Sequence, residues 1–466
     1  MIPMTLAEIA DVVGGTAHGD AVVTGPAFVD SREVVPGGLF LAVAGERADG
    51  HDYAAQAVAA GAAAVLGSRA PGVPCVVVPD PVTALGRLAR HVRDRLPGLT
   101  VIALTGSQGK TGTKDYLAQV LAASGETVAT QGNLNNEIGV PLTVLRATAT
   151  TRHLVVEMGA RGLGHIGYLC DVARPTIAAV LNVGTAHLSE FGSREAIARA
   201  KGEILEGLPG DGVAVLNADD DLVRAMAERT GARRRTFGVA SGSDLSWSDL
   251  DLDDLGRPEV TFTHARAGGV DRARVRLRQS GAHQVPNAAA AAALALAAGV
   301  GFDDVAAALR GAGSLSRWRM EMTELADGTV VVNDAYNANP ASMAAALDTA
   351  TGIAARRGGR TVAVLGEMKE LGSESPTAHR EVGAVAARSG VDRLLVVGEP
   401  AAGMVDGARS VTDWPGTAVP VADRGEALAW LRENVAAGDV VLVKASRGAA
   451  LEVVAEALVN PEGPHA

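Results

Sequence analysis

A chain of 466 residues exceeds what one hydrophobic core usually serves and is expected to divide into units of about 100–200 residues. With 47% hydrophobic and 20% charged residues it is neither disordered nor fibrous, and a formal net charge of −11 argues against a nucleic-acid partner, which would need a basic face. Its two cysteines, Cys75 and Cys170, exclude a disulfide framework and fit a reducing compartment.

The opening segment, "MIPMTLAEIADVVGG", has no basic stretch leading into an apolar one, so no secretion signal is expected. Residues 1–98 mix short apolar runs, "GLFLAVAG" and "VPCVVVPD", with the helix-like "PVTALGRLARHVRDRL". Pro97 and Gly98 in "RLPGLT" then break that helix and mark a boundary. From 99 to 313, the strand-like runs "VIALTG", "HLVVEM", "TIAAVLNV" and "GVAVLN" alternate with helical stretches, the pattern of a parallel sheet covered by helices. The acidic run "SDLSWSDLDLDDLG" is expected to be a solvated loop, and "EVTFTHARAGGVDRARVRLR" (259–278) an antiparallel hairpin. The longest apolar run, "AAAAAALALAAGV" at 288–300, is too short to span a bilayer. Residues 314–466 form a third, Rossmann-like α/β unit carrying "TVVVND", "TVAVLG", "RLLVVG" and "DVVLVK". The chain is therefore expected to be a three-domain, cytoplasmic, monomeric α/β protein.

Of the 42 Lys and Arg residues, five are lysines (Lys110, Lys114, Lys201, Lys369 and Lys444). A surviving amine then carries a raised claim to a role that arginine cannot fill. Depletion by coding bias is the competing account, preferred for Lys114 and Lys369 but not for Lys110.

The stretch "VIALTGSQGKTGTK" (101–114) ends in the Gly-Lys-Thr of a phosphate-binding loop, yet Leu104 stands where the usual spacing has glycine. Its context is right. A β-branched apolar run precedes it, and "KTGTKDYLAQVLAASG" follows with apolar residues at helical spacing. Gly106, Ser107, Gln108, Gly109 and Gly112 would bring backbone amides and the helix N-terminus to phosphate oxygens. Lys110 would reach the β/γ-phosphates, and Thr111 would hold Mg²⁺.

The short loop Thr105-Gly106-Ser107-Gln108-Gly109-Lys110-Thr111 resembles that of the Mur ligases and their folylpolyglutamate synthetase relatives. Further marks of the family follow in order: Glu157 after "HLVVEM", His187 in "LNVGTAHLSEFGS", Lys201 in "AKGEI", Asn287 in "GAHQVPNAAAAAALA", Arg319 in "SRWRME", and "NDAYNANPASM", "VLGEMKELG" and "VLVKASRG". Within the family, "DSREVVPGGLFLAVAGERADGHDY" (30–53), "GNLNNEIGVPLT" (132–143) and "DAYNANP" are similar to the branch that joins D-alanyl-D-alanine to UDP-N-acetylmuramoyl-tripeptide. A sister ligase adding a single amino acid is the alternative. The Asp-Asn-Pro-Arg signature of the diamino-acid-adding branch is absent, since Ala341 follows Asn339-Pro340. Gln108, Gly112 and Glu367 depart from the commoner residues without removing a charge.

The resemblance implies an ATP-dependent ligase that activates a carboxylate as an acyl phosphate for attack by an amine. It implies Lys110, Glu157, His187 and Lys201 as catalytic residues, with Thr111, Glu157, His187 and Lys201 around two Mg²⁺ ions. Lys201 would act as a carbamate, because an ammonium beside Mg²⁺ would repel it. A plain helix lysine paired with Glu203 or Glu206 is the competing reading, as a hydrogen-bonded structural residue is for His187. Asn287, Arg319, Asp334 and Tyr336 are candidates for the nucleotide. Ser31, Arg32, Asn135, Asn136, Asn337, Asn339, Ser446 and Arg447 are candidates for the substrates, although Ser31-Arg32 reads nearly as well as a turn with a surface Arg.

Two rivals fare less well. "GLGHIG" (162–167) is a literal G-x-G-x-x-G, but it starts several residues past its strand and lacks the acidic partner of a dinucleotide site. No lysine follows an asparagine, so the guanine-reading motif of a GTP switch is missing. A bare ATPase is separated from a ligase only by its substrate requirement.

Overall fold

The computed structural model describes residues 1–45, 48–184 and 191–460. They form three α/β units, as expected, each built on its own main sheet. In the first, Thr16–His18, Cys75–Val77, Ala64–Gly67, Leu39–Leu41 and Ala27–Phe28 lie side by side, parallel except for the first pair. The central sheet has nine strands. Its parallel part runs Thr127–Ala129, His153–Glu157, Thr100–Thr105, Ile177–Val180, Val213–Asn217 and Arg233–Phe237. The third unit orders Glu321–Glu324, Val330–Asn333, Val440–Lys444, Thr361–Leu365, Arg393–Val397 and Thr417–Val421, antiparallel only at the first pair.

Thr100–Thr105 lies inside the central sheet, between His153–Glu157 and Ile177–Val180. Its residues 101–105 are buried, which is why "VIALT" is apolar throughout instead of alternating. Helices Lys110–Ala122 and Gln284–Ala297 cover one face of the sheet. Helices His165–Ala173 and Arg194–Glu206 cover the other.

The hairpin forms as expected from Pro258–Arg266 and Gly269–Arg276, turning through Ala267 and Gly268, the latter at φ +88°. The acidic run before it is not a loop. Residues Leu245–Leu252 are a strand pairing with Pro258–Arg266, broken by a bulge between Ser248 and Asp251. Leu245 and Trp247 turn toward the core while the acidic side chains face solvent, so the backbone ladder tolerates a polar sequence.

The outer units attach differently. Helix Pro81–Asp94 sends Leu85, Leu88 and Val92 into one core with Ile166, Leu169 and Val172 of helix His165–Ala173. Gly86 permits the crossing, because a Cβ there would collide with the Tyr168 hydroxyl. The third unit instead keeps separate cores on the two faces of its sheet. Its linker is held by polar groups: the buried Asp115 carboxylate accepts from Leu315 N (3.3 Å), Ser316 N (3.0 Å) and Ser316 Oγ (3.1 Å). Lys114 pairs with Asp115, and Gln119 exchanges two hydrogen bonds with Gly313. Among the described residues no helix is long and apolar enough to cross a membrane.

Candidate active site

A cleft of about 880 Å³ lies between the central and C-terminal units, lined by the phosphate-loop residues on one side and by Arg319, Asp334 and Arg447 on the other. The short loop is intact. Gly109 takes φ +76° immediately before helix Lys110–Ala122, placing the helix N-terminus at the cleft. A Cβ on Gly109 would run into Asn287 Oδ1, and one on Gly106 would lie 2.9 Å from Leu181 Cβ. Asn182 clamps the loop from the next strand, accepting from Gln108 N (3.0 Å) and donating to Gln108 O (3.1 Å). Ser107 Oγ accepts from Gly184 N at 2.9 Å. Lys110 Nζ donates to Gly106 O at 2.8 Å, the local acceptor that holds it curled over the loop. Burial lowers its pKa, against the pull of Glu157.

Glu157 ends its strand 2% exposed. Its Oε2 accepts from Thr111 Oγ1 (3.1 Å) and its Oε1 from Asn135 Nδ2 (2.8 Å), while its backbone N donates to Thr130 Oγ1. Two hard oxygen donors, Thr111 Oγ1 and Glu157 Oε2, thus face one point. The described residues contain no cluster of three metal-ligating side chains, so a cation here would draw its remaining ligands from phosphate oxygens and water, a donor set that suits Mg²⁺.

Lys201 lines the same cleft at 5% exposure. Its pKa lies well below the ordinary lysine range, first through burial and then through the charge of Lys110. The competing reading of a helix ion pair fails. Glu203 accepts from Gly164 N (2.6 Å) and Gly167 N (3.0 Å), and Glu206 pairs with Arg229 at 2.6 Å. The same Glu203 contacts dispose of the dinucleotide rival, since a carboxylate of the chain already occupies the helix N-terminus that "GLGHIG" would offer to a pyrophosphate. His187 lies outside the described residues.

From the C-terminal unit, Arg319 lies over the Tyr336 ring at 4.2 Å, and its Nε finds no hydrogen-bond partner among the described residues. Asp334 is engaged on both oxygens, accepting from Met320 N (3.1 Å) and pairing with Lys444 Nζ at 2.5 Å. Arg447 stacks on Trp318 at 4.0 Å. Asn135, Asn337, Ser446 and Arg447 all line the cleft. Asn136 and Asn339 line it too, but both side chains are taken up by nearby backbone: Asn136 Oδ1 accepts from Gly139 N, and Asn339 Oδ1 caps a helix by accepting from Ser342 N. Ser31 and Arg32 are not among the cleft residues. Arg32 is 86% exposed and folds onto Asp30, whose pKa it holds down at about 2.

Sequence reasoning passed over Asn182, whose clamp on the loop exists only once distant strands meet. It also passed over Lys444, for which the scarcity of lysine was a usable signal. Four of the five lysines (Lys110, Lys201, Lys369 and Lys444) line this one cleft, and Lys114 sits under the linker.

Comparison with known proteins accounts for this arrangement. The Mur ligase family, catalytic domain, matches residues 28–93; the Mur ligase middle domain matches 104–295; and the Mur ligase, glutamate ligase domain matches 318–447. The chain is 47% identical to the UDP-N-acetylmuramoyl-tripeptide–D-alanyl-D-alanine ligase of Mycobacterium tuberculosis, over 98% of both chains. It is 38% identical to the enzyme of that name from Escherichia coli, over 98% of this chain and 99% of that one. A crystal structure of MurF from Acinetobacter baumannii superposes with a TM-score of 0.85 at 32% identity, covering 98% of each chain. MurF of Thermotoga maritima in complex with ADP gives 0.75 at 32% identity, covering 93% of this chain and 97% of that one. Family models across all three units, and relatives 38% and 47% identical over nearly their whole length, lead to one conclusion: the chain belongs to the Mur ligase family.

Proposed function

We infer that this chain is an ATP-dependent ligase that forms an amide bond between UDP-N-acetylmuramoyl-tripeptide and D-alanyl-D-alanine in peptidoglycan precursor synthesis. The reading rests on full-length similarity to ligases of that name, and on one observation above others. A phosphate loop, a buried carboxylate and a buried amine from the central unit share a cleft with an arginine from the C-terminal unit.

ATP supplies a γ-phosphoryl group that turns the tripeptide carboxylate into an acyl phosphate, and attack by the dipeptide amine then releases phosphate. Such transfer is governed by positioning and charge neutralisation, which assigns the roles of the residues. The loop amides and Lys110 hold the β- and γ-phosphates. Thr111 and Glu157 would hold Mg²⁺, and His187 and Lys201 would serve a second ion. Lys201 would do so as a carbamate: its neutral amine, favoured by burial, adds to CO₂ and gives up a proton to water, leaving an oxygen-bearing anion. Arg319 neutralises charge developing on the transferred group. Asn287 and Asp334 hold the nucleoside, with Tyr336 packing against it. Residues 1–98 receive the UDP-sugar through Ser31 and Arg32, residues 99–313 bind ATP, and residues 314–466 complete the site on closure. Asn135, Asn136, Asn337, Asn339, Ser446 and Arg447 border the peptide path. The enzyme acts as a cytoplasmic monomer.

The test is phosphate release from Mg-ATP with each component omitted in turn. Release that needs both the tripeptide and the dipeptide, with a UDP-MurNAc-pentapeptide in the mass spectrum, is the expected outcome. Release supported by a free amino acid in place of the dipeptide would assign the chain to a sister ligase, and release needing neither would leave an ATPase.

A further inference from the structure

The loop after strand Thr361–Leu365 forms part of the cleft wall and carries a cation that the reaction so far leaves without a task. Lys369 lines the cleft with its side chain 49% exposed. The carboxylate nearest its Nζ, Glu367 Oε2, is 3.8 Å away, beyond hydrogen-bond distance. Most other cations of the cleft are committed. Lys444 is bound to Asp334, Lys110 to Gly106 O, and the guanidinium groups of Arg319 and Arg447 lie on aromatic faces. Arg161 is also exposed, but it sits beside helix His165–Ala173, on the wall shared with the N-terminal unit. Lys369 belongs to the opposite wall.

The backbone that carries that ammonium is held in place. Met368 N donates to the buried His379 Nε2 at 2.9 Å, and His379 Nδ1 donates to Ser375 O at 2.7 Å, which fixes the neutral tautomer. Lys369 N donates to Ser446 Oγ, and Ser446 N returns a bond to Glu367 O, both at 2.9 Å. Glu370 completes the turn at φ +63°, a left-handed conformation rare outside glycine, so neighbouring contacts impose the loop's path. The side chain runs beside Gly448, where a Cβ would stand 2.5 Å from Nζ and turn this flexible lysine aside.

The incoming nucleophile is a dipeptide whose far end is a carboxylate. In a cleft dense with cations for phosphate, that carboxylate needs its own donor, or it competes for the groups that bind ATP. We propose that Lys369 Nζ receives the C-terminal carboxylate of D-alanyl-D-alanine and so sets the orientation in which its amine faces the acyl phosphate. This assignment rests on the ligase reading above. It also gives a task to a lysine that the sequence alone ascribes to coding bias.

The experiment compares kcat/KM for D-alanyl-D-alanine and its C-terminal amide in the full-length wild type, Lys369→Met, Lys369→Arg and Arg161→Met. A charge-assisted hydrogen bond gives the wild type a preference for the free acid of about 30-fold. In Lys369→Met the preference falls below about threefold through the acid's KM, while the amide's kcat/KM and the KM for ATP hold, which also certifies the fold. Lys369→Arg keeps a preference of about tenfold, and Arg161→Met keeps that of the wild type. An undiminished preference in Lys369→Met, or its loss in Arg161→Met, overturns the proposal. A wild type that ignores both dipeptides but uses a free amino acid overturns the functional reading, and the proposal with it.

Discussion

Where the N-terminal unit meets the central one, Leu85, Leu88 and Val92 merge with Ile166, Leu169 and Val172 into a single core. Where the C-terminal unit meets it, Leu255 packs against the edge of a core that stays separate, beside polar contacts: Asp115 with the linker amides, Arg357 with Asp254 at 3.3 Å, and His283 in the field of Asp334 and Lys444. An apolar seam that is part of a core cannot open without exposing it, whereas polar contacts exchange for water at little cost. The first seam makes the stiffer frame and the second the looser joint. Of the residues proposed for the chemistry, Lys110, Glu157 and Lys201 lie on the frame and Arg319 beyond the joint.

The largest effect should come from the frame's own chemistry. Lys201→Ala is expected to lower phosphate release about 10³-fold and to regain part of it with added short-chain carboxylates, which restore an anion to the vacated space. Full activity in that variant would remove Lys201 from the site. Next, Leu88→Ala should cost about 3 kcal/mol in urea unfolding, with residues 1–98 and the central unit lost in one transition. Two resolved transitions would mean that the seam is not a core. On the moving side, Arg319→Ala should lower kcat about 10²-fold with an unchanged melting temperature; a fall in stability instead would make it a structural residue.

Smaller effects probe the hinge. Ser316→Ala removes a hydrogen bond to Asp115 and should loosen docking by about 1 kcal/mol, read as faster cleavage after Arg317 by trypsin without a change in global stability. The smallest is a pH effect. Burial lowers the His283 pKa below its ordinary value, against the pull of Asp334 and with help from Lys444. The docked state therefore binds fewer protons than the open one between that lowered pKa and about 6.5, so docking strengthens as pH rises through this window and weakens as pH falls. Small-angle scattering should report expansion on acidification in the wild type and a flatter response in His283→Asn; equal responses would place the sensitivity elsewhere.

Much of this was legible in the sequence because it is local. The strand-loop-helix around Lys110 and the apolar strands on either side declare themselves by run length and by glycine position. Glu157 followed from its place at a strand end. Leu245–Leu252 did not, because composition hid a two-residue alternation that only Leu245 and Trp247 carry. Asn136 and Asn339 are polar residues in the right place whose side-chain oxygens are taken up by neighbouring backbone amides, a distinction invisible without the backbone around them. Asn182, His379 and Asp115 act on groups 74, 11 and 201 residues away along the chain, and no spacing rule reaches such pairs. The lysine count came nearest, since scarcity pointed at residues whose partners it could not name.

Helix Lys110–Ala122 begins at the phosphate loop and, five residues later, holds the linker through Asp115. At 1.5 Å per residue the two points are about 7 Å apart on one stiff rod. A tilt imposed at the first turn would reach the linker directly, with no relay of side chains between. Loop and linker are two ends of one lever, so a group seated on the loop bears on the joint of the C-terminal unit through a single rigid element.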